Sequence, residues 1–377
     1  MLESQIGDLA KYSHHANSSF GIPFDILGLR RKSLLKQEWV SLFLLAPFYT
    51  FLNSPKQSLY IVEADCDRPG EGKFLGEFLK PNIVLWVSNA KTHSMNFDRL
   101  VKKNKFQTVE EAIAFEFGYF LEFCSKFAVV NGDNPLIMKQ IERTKAKVKI
   151  IKKDRELKKY QLDQNLTVFQ IDGKKYVFQT LLPEEVFYAI AMCRETVEYL
   201  DVPFDESFSK FTLPPGRESI FHGIKNTTII DSSYNANLSS MTAILNMYNK
   251  YPSKKKWVVI GDMLEQGESE QEEHEKLADL LIASQLDRII LMGPRVGKYT
   301  YPKLVSIRES MAVNKFLGPK ETLDYILENI FGGETILFKG ARFMEGIIEH
   351  LLKDKRDVSK LARREKVWEM RRKQWRL

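Results

Sequence analysis

Several apolar runs of this chain end in side chains able to hold a phosphate, a sugar hydroxyl or a cation. "YIVEADCDRPGEG" ends its run with Glu63 and Asp65, and "IVLWVSNAKTHSMNF" with Asn89 and then His93. "FAVVNGDNP" supplies Asn131 and Asp133, and "TIIDSSYNAN" supplies Asp231. "WVVIGDMLEQGE" brings Gly261, Asp262 and Glu265, and "TILFKGARFM" brings Lys339, Gly340 and Arg342. A single polar strand end would mean little, because turns favour Asp, Asn and Gly. Recurrence carries more weight, since open parallel sheets bind ligands beyond the carboxyl ends of their strands. Carboxylate plus imidazole suits a hard divalent cation, and lysine plus arginine suits phosphate or carboxylate. Together these groups point to phosphoryl chemistry.

The elements that must position them alternate apolar runs with longer helical stretches, which predicts an α/β architecture built on parallel sheets. Strands are expected at 59–63, 83–87, 127–130, 228–230, 257–260, 288–292 and 335–338, several of them continuously apolar, as strands covered on both faces are. "LTVFQIDGKKYVFQTLL" alternates instead and turns at Asp172-Gly173, which predicts a β-hairpin. "DVPFDESFSKFTLPPGRE" reads as an interdomain linker. The expected division is a first domain over 1–208, a second over 209–352 and a basic helical tail over 353–377. Trp39–Leu52 is too short to span a membrane and carries Pro47, so a buried helix is expected there. The Met and Phe residues around 111–128 fit an amphipathic helix packed inward.

Bulk composition agrees with a globular protein of 377 residues, 44% hydrophobic and 28% charged. No secretory leader is evident, and the three cysteines, widely spaced, make no metal pattern and suit a reducing cytoplasm. Net charge is +7. Residues 353–377 hold eleven Lys/Arg and four Asp/Glu, so the tail carries that whole excess. It is expected to be a solvated helix touching the body through Leu361, Val367, Trp368 and Trp375, not a polyanion-binding arm. A nucleic-acid partner is not expected.

"DSSYNANLSSM" followed by "VVIGDMLEQGESEQEEH" resembles the Mur ligase family, in the branch that joins D-alanyl-D-alanine to a UDP-linked muramoyl tripeptide. "PPGRES" and "LFKGAR" extend the resemblance, and "NSSFGIP", "VEADCDRPGE" and "VVNGDNP" follow the family's order in the first half. The resemblance implies an incomplete central ATPase domain followed by a Rossmann-like C-terminal domain. It implies a cytoplasmic, ATP- and Mg²⁺-dependent ligase of cell-wall precursor synthesis, acting through an acyl phosphate. Its partners would be the UDP-muramoyl peptide and D-alanyl-D-alanine. Glu63 and His93 resemble the family's magnesium ligands. Arg217 and Asp231 resemble its contacts to phosphate and ribose, and Asn131 a polar contact near the base. Lys339 and Arg342 match a late Lys-Gly-Ser-Arg motif with alanine replacing serine, and join Glu63 and His93 as the expected catalytic set. Tyr234, Asn235 and Asn237 would shape the closing face. For the two asparagines, capping the helix that starts near Ser239 is an equal alternative.

The sequence also departs from the family. Only "MLESQIGDLAKY" precedes "SHHANSSFGIP", and no Gly-Lys-Thr phosphate loop occurs there. Phe117 stands where the family places a metal-site lysine, Glu185 and Tyr188 replace asparagines near adenine, and Leu238 replaces a proline. Three readings therefore stand: an N-terminally incomplete ligase, a non-catalytic binding or scaffold protein that keeps the fold, and one part of a ligase completed by a separate chain. His14 and His15 are expected to be loop histidines. His274, within "SEQEEHEKLADLL", is expected to be solvated or to pack the preceding motif instead of acting as an acid–base group. "GPRVGKY" matches no phosphate-loop spacing.

Overall fold

The computed structural model describes residues 1–377 except 15, 32–36, 53–55, 92–93, 308–311, 341–342 and 376–377. The chain divides into two compact units that are not consecutive stretches. The first comprises Met1–Asn89, Asn96–Glu156 and Tyr188–Phe211, and the second Ala90–Met95, Leu157–Phe187 and Thr212–Leu377.

In the first unit, β1 (Ala10–Ser13) pairs in parallel with β2 (Leu59–Val62). β3 (Ile83–Trp86), β4 (Phe127–Asn131) and β5 (Lys147–Ile151) form a parallel sheet with β4 central and buried throughout. The helix Val109–Glu122 starts at Thr108, whose hydroxyl accepts the Glu111 amide at 3.2 Å, and Glu110 and Glu111 complement the positive end of its dipole. It packs against the helix Glu71–Leu79 through two glycines. A Cβ on Gly72 would lie 2.1 Å from the Glu116 carbonyl oxygen, and one on Gly76 would lie 2.7 Å from the Phe123 ring. The same contact buries the Glu116 carboxylate, which accepts the amides of Gly70 at 2.9 Å and Gly72 at 3.2 Å.

The segment Trp39–Leu52 departs from expectation. It is helical over Glu38–Leu52, but Leu42 is its one buried residue. Leu42, Trp39 and Ala46 hold one narrow side against Phe24 and Leu29, while the rest of the helix stays exposed. Hydrophobicity without a stripe signals an apolar environment and does not say whether protein supplies it.

The second unit opens with a three-stranded antiparallel sheet of β6 (Leu157–Asp163), β7 (Leu166–Ile171) and β8 (Lys174–Phe178). The β7–β8 turn falls at Asp172-Gly173, both with positive φ, as the predicted hairpin turn requires. This segment joins the second unit although it precedes the linker near 208, because Leu181 is buried in that unit's core and Leu162 packs against it. Linker composition marks one crossing of the chain between units; such side-chain contacts decide the others.

The main sheet contains β9 (Ser219–His222), β10 (Thr228–Asp231), β11 (Lys256–Gly261), β12 (Arg288–Met292), β13 (Ala312–Phe316) and β14 (Thr335–Lys339). Their order is β13-β12-β11-β14-β10-β9, parallel except for β9 at the edge. β11 and β14 are buried along their whole length, with apolar clusters covering both faces of the sheet. β14, last in the chain, inserts between β10 and β11, so the ends of "TIID", "VVIG" and "LFKG" become neighbours.

Gly72→Ala is expected to destabilise the first unit by about 2–4 kcal/mol, because the clash is with backbone and cannot be relieved by a rotamer change. Urea denaturation checks this, and a loss below about 0.5 kcal/mol would contradict the packing.

Candidate functional site

The carboxyl edge of the main sheet gathers charge that the fold itself does not neutralise. Asp231, the last residue of β10, has no solvent exposure. Its Oδ1 accepts the Ser233 amide at 3.0 Å, whereas Oδ2 has no hydrogen-bond partner among the described residues, nor has the buried Ser233 hydroxyl. Burial pushes the Asp231 carboxyl up to about 6, with the Glu345 carboxylate adding to the rise and Ser233 and Arg363 opposing it. A buried acceptor with an empty lone pair costs stability and is the kind of group a ligand hydroxyl can satisfy.

Lys339 ends β14, the strand beside β10. Its ammonium is buried and donates to the Asn235 carbonyl at 2.8 Å. Burial brings it down to about 8, while Glu218 and Asp231 favour its charge. Glu218 precedes β9 in the left-handed region, at φ 49°. Its carboxylate accepts the Ser232 hydroxyl at 2.9 Å, and burial raises its carboxyl against the pull of Lys339. Arg217 is exposed and lays its guanidinium over the half-exposed Tyr234 ring, 4.8 Å from the centroid. Three further non-glycine residues with positive φ, Glu265, Phe343 and Arg363, lie in or beside this region; Glu265 and Phe343 follow the ends of β11 and β14. Strained backbone of this kind concentrates at functional sites. Between those strand ends, a Cβ on Gly340 would lie 2.5 Å from Gly261 Cα, so the two glycines allow the motifs their close approach.

Asn237 takes the structural role. Its side chain accepts the Ser240 amide at 2.8 Å, and the Ser240 hydroxyl oxygen accepts the Asn237 amide at 3.1 Å, a complete capping box for the helix Leu238–Lys250. Asn235 is exposed and its side-chain oxygen accepts the Ala236 amide at 2.8 Å. In the first unit, Asn131 commits both ends of its carboxamide, donating to the Val87 carbonyl and accepting the Asp133 amide, each at 2.9 Å. Glu63 lies exposed just beyond β2. His93 and Arg342 lie outside the described residues. No group of three His, Cys, Asp or Glu side chains able to hold a metal occurs among the described residues. Phe117 sits in an apolar setting, 6.1 Å from Trp86 and 6.3 Å from Phe120 between ring centroids.

His274 is fully buried and belongs to the motif's scaffold. Its Nε2 faces the Met263 amide at 3.3 Å and its Nδ1 the Glu270 carbonyl at 2.7 Å, which assigns a neutral ring with the proton on Nδ1. Burial lowers its basicity further. It is neither solvated nor an acid–base group; it fixes "GDMLEQGE" against the following helix. Asp262 likewise serves structure, accepting the amides of Arg295 at 3.0 Å and Val296 at 2.9 Å. "GPRVGKY" thus opens a helical turn capped by Asp262, and a groove of about 330 Å³ beside it is lined by Glu265, Gln266, Glu270 and Arg295.

The helix Lys366–Gln374 of the basic tail is largely exposed, with Val367 and Trp368 half-buried and Leu361 docked as expected, but the tail is held by more than these contacts. Leu361 and Ala362 are buried, and Glu345, itself fully buried, lies 3.5 Å from both Arg363 and Arg372 of the tail. Arg363 also donates to the Tyr234 carbonyl and stacks on its ring, 5.3 Å from the centroid. The tail therefore backs the same loop that carries Asp231. Glu345 was the missed signal: an acid inside the apolar helix "MEGIIEHL" needs cations, and the arginines downstream provide them.

Comparison with known proteins agrees with this layout. Residues 216–342 match the family described as Mur ligase, glutamate ligase domain. The UDP-N-acetylmuramoyl-tripeptide–D-alanyl-D-alanine ligase of Bacillus subtilis is 30% identical over 128 residues, covering 34% of this chain and 27% of that protein. The enzyme of the same name from Borreliella burgdorferi is 26% identical over 301 residues, covering 75% of this chain and 60% of that one. The matched regions thus span less than two thirds of these relatives. In fold, the chain is similar to MurF ligase from Thermotoga maritima in complex with ADP, at TM-score 0.71 and 19% identity over 95% of this chain and 76% of that one. MurF from Acinetobacter baumannii gives TM-score 0.73 at 17% identity, over 94% and 73% of the two chains.

Two outcomes test the electrostatics. Folded Asp231 keeps its proton up to about 6 against an ordinary 3.8, so its contribution to stability is full below that ordinary value and lost as pH rises through about 6. Asp231→Asn is therefore expected to stabilise the fold at pH 8 by about 1–3 kcal/mol, with no gain near pH 4, in urea titrations at both pH values. Arg372→Met leaves Glu345 one cationic partner fewer and is expected to cost about 2–4 kcal/mol. Adding Glu345→Leu should recover part of that loss in a double-mutant cycle.

Proposed function

Residues 216–342 belong to the Mur ligase glutamate ligase domain family, and on that premise we propose that this chain is the nucleotide-binding part of a peptidoglycan-precursor ligase. The reaction would join D-alanyl-D-alanine to a UDP-linked muramoyl tripeptide. The peptide carboxylate would take the γ-phosphoryl group of ATP to become an acyl phosphate, releasing ADP, and the incoming amine would then displace phosphate. The single observation that carries the reading is the buried Asp231 carboxylate with its unsatisfied Oδ2, beside Lys339 and Arg217 at a parallel-sheet edge.

In this reading Asp231 accepts a ribose hydroxyl, which satisfies the orphaned oxygen. Arg217, exposed and lying over the Tyr234 ring, turns to the phosphates. Lys339 keeps the Asp231–Asn235 loop in place through the Asn235 carbonyl and adds positive charge where phosphoryl charge accumulates. Arg342 is assigned to the same phosphate region by motif. Glu63 and His93 are assigned to Mg²⁺, which would neutralise phosphate charge when bound. Tyr234 presents an aromatic face between two guanidinium groups and shapes the closing surface.

Titration calorimetry with Mg²⁺ and a non-hydrolysable ATP analogue tests this. The expected result is saturable binding that Asp231→Ala and Arg217→Ala each weaken at least about tenfold. Absence of binding by the unmodified chain at nucleotide concentrations on the order of millimolar would refute the reading. A second reading, nucleotide binding without turnover, is favoured by the apolar setting of Phe117. Release of ADP in the presence of both peptide substrates decides between the two.

A further inference from the structure

We propose that the helix Glu38–Leu52 is an interfacial anchor that seats the protein on an anionic lipid surface, independently of the ligase reading. Its exposed side chains include Leu44 at 68%, Phe48 at 66%, Phe51 at 89% and Leu52 at 78%, together with Val40 and Phe43. At about 100° per residue these positions, with Leu45 and Tyr49, cover roughly two thirds of the helix circumference. The remaining third, through Trp39, Leu42 and Ala46, attaches the helix to Phe24 and Leu29, and Phe43 at its border sets its ring 5.3 Å from that of Phe24. A groove on a protein partner takes one stripe of a helix. An apolar surface of this width fits a medium that can surround it.

The polar groups of the helix point the same way. Ser41 returns its hydroxyl to the Glu38 carbonyl at 2.8 Å, and Thr50 to the Ala46 carbonyl at 2.9 Å. Neither hydroxyl then requires water, the condition for immersion in lipid. No charged residue occurs between Glu38 and Lys56. Cations flank both ends: residues 28–59 contain five Lys/Arg and one Glu. Of these, Lys56 is exposed, Arg30 is exposed at 3.8 Å from Asp25, and Arg31 lies over the Trp39 ring at 4.0 Å from Glu38. Basic ends around an apolar middle complement the phosphates and acyl chains of an anionic leaflet. The 15-residue helix measures about 22 Å, short of the ~30 Å hydrocarbon core, so it lies in the interface and does not cross it.

Flotation of the full chain with vesicles tests the proposal. The protein is expected to float with phosphatidylcholine–phosphatidylglycerol vesicles, and less with phosphatidylcholine alone or at high salt. The double substitution Leu44→Glu and Phe48→Glu, at exposed positions, should reduce flotation at least about tenfold. Its thermal melting should stay unchanged, because neither side chain contributes to the core. Failure of the unmodified chain to float with either vesicle overturns the proposal. A dimer in light scattering that the double substitution dissociates, while lipid neither binds nor competes, also overturns it and makes the helix a contact between copies of the chain.

Discussion

Asp231 has a buried carboxylate oxygen with no hydrogen-bond partner among the described residues, and the charged groups of the second unit are arranged around that constraint. The charge sits at the end of a buried strand, raised in pKa by desolvation and by Glu345. Around it the fold places compensations that act at a distance and not by direct pairing. Lys339 lies on the adjacent strand, held by the Asn235 carbonyl. Arg363 approaches from the tail, held by Glu345 and the carbonyl of Tyr234. Each cation is tied to a neighbour of Asp231 and not to Asp231 itself. A site optimised for stability alone would have closed that pair.

The same logic explains the tail. Eleven cationic side chains in a terminal segment suggest a solvated face or a polyanion contact when read as composition. Two of them instead meet a buried glutamate, and one of the two, Arg363, also donates to the Ser233 and Tyr234 carbonyls. Burying Glu345 without them would leave a desolvated charge, so the helix Met344–Leu351 and the tail are stable only together. The tail is part of the second unit's architecture and supports the loop on which the candidate chemistry depends.

The glycines and polar residues of the motifs divide between chemistry and construction. Gly261 and Gly340 let two strand ends approach within a distance no Cβ allows. Asn237, Asp262 and His274 lie in the same motifs, and each is consumed by a cap or a backbone amide. Among the described residues, those left uncommitted include Asp231 Oδ2, the Ser233 hydroxyl and Gln266 Oε1, while the Arg217 guanidinium lies over an aromatic face. In the first unit the corresponding asparagine, Asn131, is committed to its own loop.

Much of this was legible from the sequence because local physics decides it. The expected strands at 59–63, 83–87, 127–130, 228–230, 257–260, 288–292 and 335–338 lie within a residue or two of the observed ones, since buried β-branched runs bounded by turn residues have few alternatives. The hairpin at Asp172-Gly173 and the Asn237–Ser240 cap are likewise short-range. The edge strands Ala10–Ser13, Lys147–Ile151, Leu157–Asp163, Ser219–His222 and Ala312–Phe316 escaped, because half-exposed strands carry a weaker pattern. Tertiary structure alone decided three things. It assigned 157–187 to the second unit through Leu162 and Leu181, paired Glu345 with Arg363 and Arg372, and left most of the helix Glu38–Leu52 uncovered. Each depends on which surfaces meet across long separations in the chain. Periodicity records that a residue is apolar or charged; only packing determines what it faces.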